Sequence, residues 1–177
     1  RLCRAVCEKA LGGAAPANLA FLTDAVECFH KASLAHDDAQ DGDELRYGRP
    51  AVWKARGVAM AIAVGDWLLA RGYDLVAHSG FPDAPGMLAA CARAHLLLAE
   101  GQGDELAARA EGRALTVDEY VSVCARKTGE GFALAAELGA RAAGTDPAAY
   151  RDYGLAWGVL YQIRDDAADG SPAAPVS

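Results

Sequence analysis

The sequence lacks a Cys-x-x-Cys pair, a signal peptide and any apolar run as long as a membrane span, and each absence excludes a class of protein. Its five cysteines are odd in number and show no ligand spacing. This argues against a disulfide framework or a structural zinc site and fits the reducing cytoplasm. A stable membrane insertion would need an apolar run of about 18 residues. The net charge of −7 argues against a nucleic-acid partner, because phosphate backbones bind basic surfaces.

Valine, isoleucine and threonine are sparse and alanine is abundant, a composition that favours helices over strands. With 53% hydrophobic residues, the 177-residue chain has enough apolar material for one sizeable core. Apolar periodicity and turn residues predict an all-α bundle of six or more helices, with polar loops at 42–50 and 79–86. No alternating strand and no linker interrupts the pattern, so residues 1–177 are interpreted as a single domain that is trimmed at both ends. The predicted helices are 1–11, 17–41, 52–70, 87–110, 116–138 and 147–168.

Two copies of the motif D-D-x-x-D stand at the C-terminal ends of predicted helices. The first and last aspartates of each motif are i, i+4 neighbours, so their carboxylates repel each other and also oppose the helix dipole. A divalent cation would reverse that cost, and Mg²⁺ prefers carboxylate oxygens. The sequence therefore predicts magnesium binding at both motifs, in preference to two merely solvated acidic helix ends. The six predicted ligands are Asp37, Asp38 and Asp41 in the first motif and Asp165, Asp166 and Asp169 in the second.

The acidic motifs belong to a longer series of short segments that follow one another along the chain. The segments are 29–41 with 46–50, then 63–69, Gly101-Gln102 with Glu105, Lys127-Thr128, and 161–166. In order and spacing this series resembles the trans-isoprenyl diphosphate synthases, also called polyprenyl synthetases, over nearly the whole chain. The resemblance implies the all-α isoprenoid synthase bundle around a central cavity. It also implies a homodimeric, Mg²⁺-dependent prenyltransferase that joins isopentenyl diphosphate head to tail to an allylic diphosphate.

The resemblance also implies roles for individual side chains around a departing diphosphate. Metal ions at the two aspartate motifs neutralise its charge, with Arg46 and Lys127 as fixed cations on the same group. Thr128 and Gln162 supply neutral hydrogen bonds. His30, two helical turns before Asp37, corresponds to a histidine that helps to bind isopentenyl diphosphate, although a core histidine is the alternative. The implied catalytic residues are Asp37, Asp38, Asp41, Lys127, Asp165 and Asp166.

Three departures from the family pattern weaken the isopentenyl diphosphate side. Tyr47 stands where the family has a second arginine, and only Arg49 offers a nearby replacement charge. The upstream G-K-x-x-R-P motif and the lysine after the second acidic motif are absent from this sequence. Two alternatives therefore stay open. One is a class I terpene cyclase, which needs no isopentenyl diphosphate, and the other is a non-catalytic subunit that binds prenyl diphosphates.

Product length is predicted from the helix that carries the first motif. Ser33 and Phe29 lie one and two turns before Asp37 on the same face, where a growing tail would run. Ser33 and the neighbouring Ala32 are small, so we expect an open upper cavity with Phe29 as a floor or as ordinary helix packing. This favours a product of C20 or longer.

Overall fold

The computed structural model describes residues 1–169, and in this range the chain is predominantly α-helical, as predicted. Most predicted helices are present within a few residues of their expected bounds. The α-helices are α1 (Leu2–Leu11), α2 (Leu19–Asp41), α3 (Val52–Arg56), α4 (Val58–Ala77), α5 (Ala84–Ala110), α6 (Val117–Cys124), α7 (Glu130–Ala142) and α8 (Ala148–Asp169).

The predicted polar loop at 42–50 contains a small antiparallel hairpin, made by β1 (Leu45–Arg46) and β2 (Arg49–Pro50). Its two-residue turn consists of Tyr47 at φ 53° and Gly48 at φ 73°. Positive φ at both central positions is the type I′ geometry, whose twist matches that of paired strands. Strands of two residues are too short to give an alternating pattern, so sequence periodicity missed them.

The predicted helix at 52–70 is divided and also longer than expected. Gly57, at φ 89°, separates α3 from α4, and α4 continues to Ala77. The chain therefore changes direction soon after the hairpin and then runs as one long helix beside α2.

The predicted helix at 116–138 is interrupted by a π-helical turn, Ala125–Gly129, between α6 and α7. A capping box fixes its start: the Glu119 amide donates to Thr116 Oγ1 at 3.3 Å, and the Thr116 amide donates to Glu119 Oε2 at 2.8 Å. Single π-helical turns occur frequently at functional sites. This one carries Lys127 and Thr128, two of the predicted substrate-binding residues.

Residues 17–84 form one compact unit, in which α2 packs on α4. The ring of Phe29 is buried, lies edge-on to Tyr73 with ring centroids 5.4 Å apart, and fills the space above Gly72. Phe29 therefore serves as core packing between α2 and α4.

Residues 1–16 and 85–169 form a second compact unit, in which α7 packs on α1 and α8. Val6 of α1 meets Ala136 and Ala140 of α7, with Leu2 and Tyr150 against them. The small alanine side chains let these helices approach closely.

Two buried carboxylates of α7 are held by arginines from three helices. Glu137, only 2% exposed, accepts from Arg141 Nε at 2.9 Å and from Arg93, and Arg151 Nε lies 3.7 Å from it. Arg151 also donates to both oxygens of buried Glu130 at 2.7 Å. Burying a charge is tolerated only where it is paired, so this cluster ties α5, α7 and α8 together.

None of the helices within residues 1–169 combines the length and the apolar character needed to cross a membrane.

Candidate functional site

The buried member of the first acidic motif is tied to the hairpin. Asp38 is 3% exposed, and its Oδ1 accepts from Arg46 Nε at 2.9 Å and also from Arg46 Nη2. The hydrogen bond to Asp38 raises the pKa of Arg46 above its usual value, and Arg46 Nη2 lies 3.6 Å from Asp43 as well. The charge of Asp38 is thus compensated inside the protein.

The other two aspartates of the first motif are closer to solvent. Asp37 is half-buried and Asp41 is exposed, and both lie in the last turns of α2. Their i, i+4 spacing places two carboxylates on one helical face. Carboxylate oxygens on one face at a helix end are of the kind that a divalent cation binds.

His36, immediately before the first motif, was not among the predicted site residues. Its Nε2 lies 3.4 Å from the Ile62 carbonyl oxygen and 3.5 Å from Asp66 Oδ1. A Cβ on Gly65 would lie 2.1 Å from the same nitrogen, so only glycine leaves room for this ring. Gly65 and Asp66, which belong to the segment 63–69 of the family resemblance, thus contact His36 and hold the end of α2 against α4.

The region predicted to bind isopentenyl diphosphate has a positive charge, although Tyr47 stands where the resemblance expects an arginine. Tyr47 is 74% exposed, and Lys31 Nζ lies 5.0 Å from the centroid of its ring, within cation–π range. Partial burial and the neighbouring Lys31 hold the pKa of His30 below its usual value, so its imidazole is neutral near pH 7. Lys31 stands beside the position where the family resemblance expects an arginine.

Lys127 and its neighbours on the π-helical turn are paired with α5. Lys127 Nζ binds Glu105 Oε2, and Glu105 is 7% exposed. Arg126 Nη2 lies 2.7 Å from Asp104 Oδ2. Two adjacent acidic residues of α5 therefore form ion pairs with two adjacent basic residues of the turn.

Close backbone approach sets the position of this turn. A Cβ on Gly101 would lie 2.5 Å from the backbone nitrogen of Lys127 and 2.8 Å from the Arg126 carbonyl carbon. Because backbone cannot rotate away, any larger residue at 101 would displace the turn.

We expect Gly101→Ala to lower the free energy of unfolding by about 2 kcal/mol, because overpacking against backbone forces α5 away from the turn. Gly103→Ala is the matched control on the same helix, since a Cβ there meets nothing within 4 Å. The control should gain roughly 1 kcal/mol from the helix propensity of alanine. Urea unfolding of both variants measures the difference, and equal stabilities would contradict the close approach.

A series of hydrogen bonds from uncharged donors links the π-helical turn to the second acidic motif. Thr128 Oγ1 donates to Gln162 Oε1, and Gln162 Nε2 donates to Asp166 Oδ1 at 2.8 Å. Tyr120 of α6 donates to the other oxygen, Asp166 Oδ2, at 2.5 Å. Burial, followed by this bond, raises the pKa of Tyr120 above its usual value, so the phenol keeps its proton. Asp165 beside this chain is exposed.

The structure brings some predicted residues together and leaves others separate. Thr128, Gln162 and Asp166 form one network, and Asp38 meets Arg46. The side chain of Asp169 lies outside the described residues. Among the described residues, no group of three or more His, Cys, Asp or Glu side chains is arranged to hold a metal ion.

Sequence reasoning missed His36 and Tyr120 as parts of the site. The signal for His36 was its place directly before the first motif, together with the glycine that faces it. No spacing rule connects Tyr120 to Asp166, because the bond joins residues of different helices. The contact of Lys31 with Tyr47 also depends on the hairpin, which the sequence did not reveal.

Comparison with known proteins places these features in a family. Residues 2–174 match the family model described as Polyprenyl synthetase. The chain is 35% identical over 165 residues to a short chain isoprenyl diphosphate synthase of Methanothermobacter thermautotrophicus, covering 91% of this chain and 50% of that protein. It is 33% identical over 168 residues to a geranylgeranyl diphosphate synthase of Mycobacterium tuberculosis, covering 92% and 46%.

A solved structure shares the same arrangement of helices. The polyprenyl synthase of Caulobacter crescentus CB15, complexed with calcium and isoprenyl diphosphate, superposes with a TM-score of 0.84 at 36% identity. The match covers 93% of this chain and 50% of that one. The chain thus spans about half the length of these relatives.

Proposed function

Because this chain belongs to the polyprenyl synthetase family, we propose that it acts in a trans-isoprenyl diphosphate synthase, a prenyltransferase that joins isopentenyl diphosphate head to tail to an allylic diphosphate. The observation that carries the proposal is the hydrogen-bonded set Thr128–Gln162–Asp166 beside Lys127. Cationic and neutral donors meet there next to an acidic helix end, as recognition of a metal-bound diphosphate requires.

Magnesium is the proposed cofactor, since carboxylate oxygens are ligands that it prefers. Asp37 and Asp41 would hold it at the first motif, with Asp38, which accepts a hydrogen bond from Arg46, close by. Asp165, Asp166 and Asp169 are the proposed ligands at the second motif. When bound, the metal supplies positive charge that stabilises the departing diphosphate. The Caulobacter structure is a complex with calcium and isoprenyl diphosphate, which supports a divalent cation as part of this proposal.

The residues that would bind the diphosphate are proposed from the N–H and O–H groups that they could offer to it. The Lys127 ammonium has three protons and gives one to Glu105, which leaves two for phosphate oxygens. The Gln162 amide has two protons and gives one to Asp166. Thr128 would exchange its bond to Gln162 for one to the substrate, and Arg46 would add a further cation at the first motif.

The isopentenyl diphosphate site is proposed around His30, Lys31 and Arg49. Lys31 supplies a cation beside Tyr47, which favours the synthase although the second arginine is missing. The neutral His30 imidazole offers a hydrogen bond without a charge. Tyr47 is the feature that favours a terpene cyclase, since that class has no need of a second diphosphate site.

Product length and assembly are part of the same proposal. Ser33 is exposed and small, while Phe29 is occupied in packing against α4, which favours a product of C20 or longer. The proposed assembly is a homodimer.

The test is an incubation of the full-length protein with Mg²⁺, isopentenyl diphosphate and dimethylallyl, geranyl or farnesyl diphosphate. We expect elongated diphosphates of C20 or longer and none after chelation of the metal. Hydrocarbons released without isopentenyl diphosphate would establish the cyclase instead. Absence of turnover with every substrate would favour the non-catalytic subunit that binds prenyl diphosphates.

A further inference from the structure

We propose that Tyr120 is a positioning residue of the second acidic motif, which holds the Asp166 carboxylate and, through it, the Gln162 amide in the orientation that binds the metal–diphosphate group. The inference rests on the proposed function of that motif. Tyr120 belongs to none of the segments that carry the family resemblance in this sequence.

The geometry leaves Asp166 with one fixed orientation. Tyr120 donates to Oδ2 at 2.5 Å and Gln162 donates to Oδ1 at 2.8 Å, so each oxygen has its own partner. The two donors come from α6 and from α8 itself. Removing the phenol would release one oxygen, and the carboxylate would then rotate about its bond to Cβ.

The orientation of Gln162 depends on the same contact. Before substrate binds, its Nε2 faces Asp166 and its Oε1 accepts from Thr128, so the amide cannot flip without breaking both bonds; once Thr128 turns to the substrate, the bond to Asp166 is the one that holds it. A carboxylate held at both oxygens keeps the amide in this state. Tyr120 therefore acts on the substrate-binding end of α8 without touching the substrate.

The chemistry of the donor suits a metal site. Tyr120 and Gln162 are uncharged, so they orient Asp166 and leave its negative charge available to a cation. In the first motif, Arg46 both orients Asp38 and cancels its charge. The donors to Asp166 are thus uncharged, whereas the donor to the corresponding aspartate of the first motif, Asp38, carries a positive charge.

The experiment compares Tyr120→Phe with wild type in the full-length protein. The first readout is calorimetric binding of inorganic pyrophosphate over a series of Mg²⁺ concentrations, and the second is the Mg²⁺ concentration that gives half-maximal turnover. We expect both Mg²⁺ requirements to rise about tenfold, the usual effect of removing a residue that orients a metal ligand. The thermal midpoint should stay within a few degrees of wild type.

Tyr153→Phe is the matched control, because it removes an exposed phenol from α8 that packs edge-on against Trp157. It should behave as wild type. In an Asp166→Ala background, Tyr120→Phe should change the Mg²⁺ requirement less than twofold, since its effect passes through Asp166. A full tenfold effect in that background would show that Tyr120 acts elsewhere and overturn the inference.

The outcomes separate this inference from the proposed function. Wild type that elongates prenyl chains, with Tyr120→Phe unchanged in both Mg²⁺ readouts, overturns the positioning role alone. Wild type that neither binds pyrophosphate with Mg²⁺ nor elongates prenyl chains overturns both.

Discussion

Asp37→Asn is expected to lower kcat for prenyl transfer by about a thousandfold, the usual cost of removing one preorganised electrostatic group from a reacting centre. The substitution replaces the half-buried carboxylate of a proposed metal ligand with a neutral amide near the C-terminal end of α2. The helix should tolerate it, because one of two repelling i, i+4 charges is removed. Steady-state kinetics at saturating Mg²⁺ measure the change.

Asp24→Asn provides the control for this experiment, since it makes the same charge change at an exposed position earlier on α2. We expect it to retain wild-type kcat. Retention of wild-type kcat by Asp37→Asn would be incompatible with a metal-binding first motif. A loss accompanied by a large fall in thermal midpoint would point instead to a structural role for Asp37.

Glu137→Gln is expected to lower the free energy of unfolding by about 3 kcal/mol, the scale for breaking a buried ion pair on one side. The side chain of Glu137 is 3% exposed and faces Arg93, Arg141 and Arg151. Glutamine has nearly the same shape, so the cost arises from three guanidinium groups that lose their shared counter-charge. Urea unfolding followed by circular dichroism measures it.

Glu8→Gln is the corresponding surface control. Its side chain is 42% exposed and lies 3.7 Å from Arg4, in an i, i+4 pair on α1. Such pairs contribute less than about 1 kcal/mol, so the midpoint of urea unfolding should hardly change. Equal effects of the two substitutions would mean that the cluster around Glu137 is solvated in solution.

Most helices could be predicted because helix formation depends on residues that are close together in the sequence. Apolar periodicity gave α2 and α5 within a few residues, and the repeated acidic motif identified two helix ends. The hairpin and the π-helical turn were not predicted, since each depends on contacts rather than on composition. The position of the turn depends on Gly101, which lies far from it in the sequence.

The sequence predicted a set of candidate site residues, but not the contacts that these residues make. Lys127, Thr128 and Gln162 were identified from their resemblance to a family pattern. Their partners Glu105 and Tyr120 were not assigned these contacts, because side-chain pairing between helices leaves no periodic trace. The same limit applied to Asp38, whose burial distinguishes it from the neighbouring aspartate.

The contact between Arg46 and Asp38 has a consequence for local stability. Lifting the hairpin away from α2 would strand a carboxylate that is 3% exposed without its counter-ion. The two-residue strands alone could not resist such opening. The hairpin and the acidic tip of α2 should therefore fray together as one cooperative segment, so that the order of the first acidic motif depends on a hairpin that lies outside it.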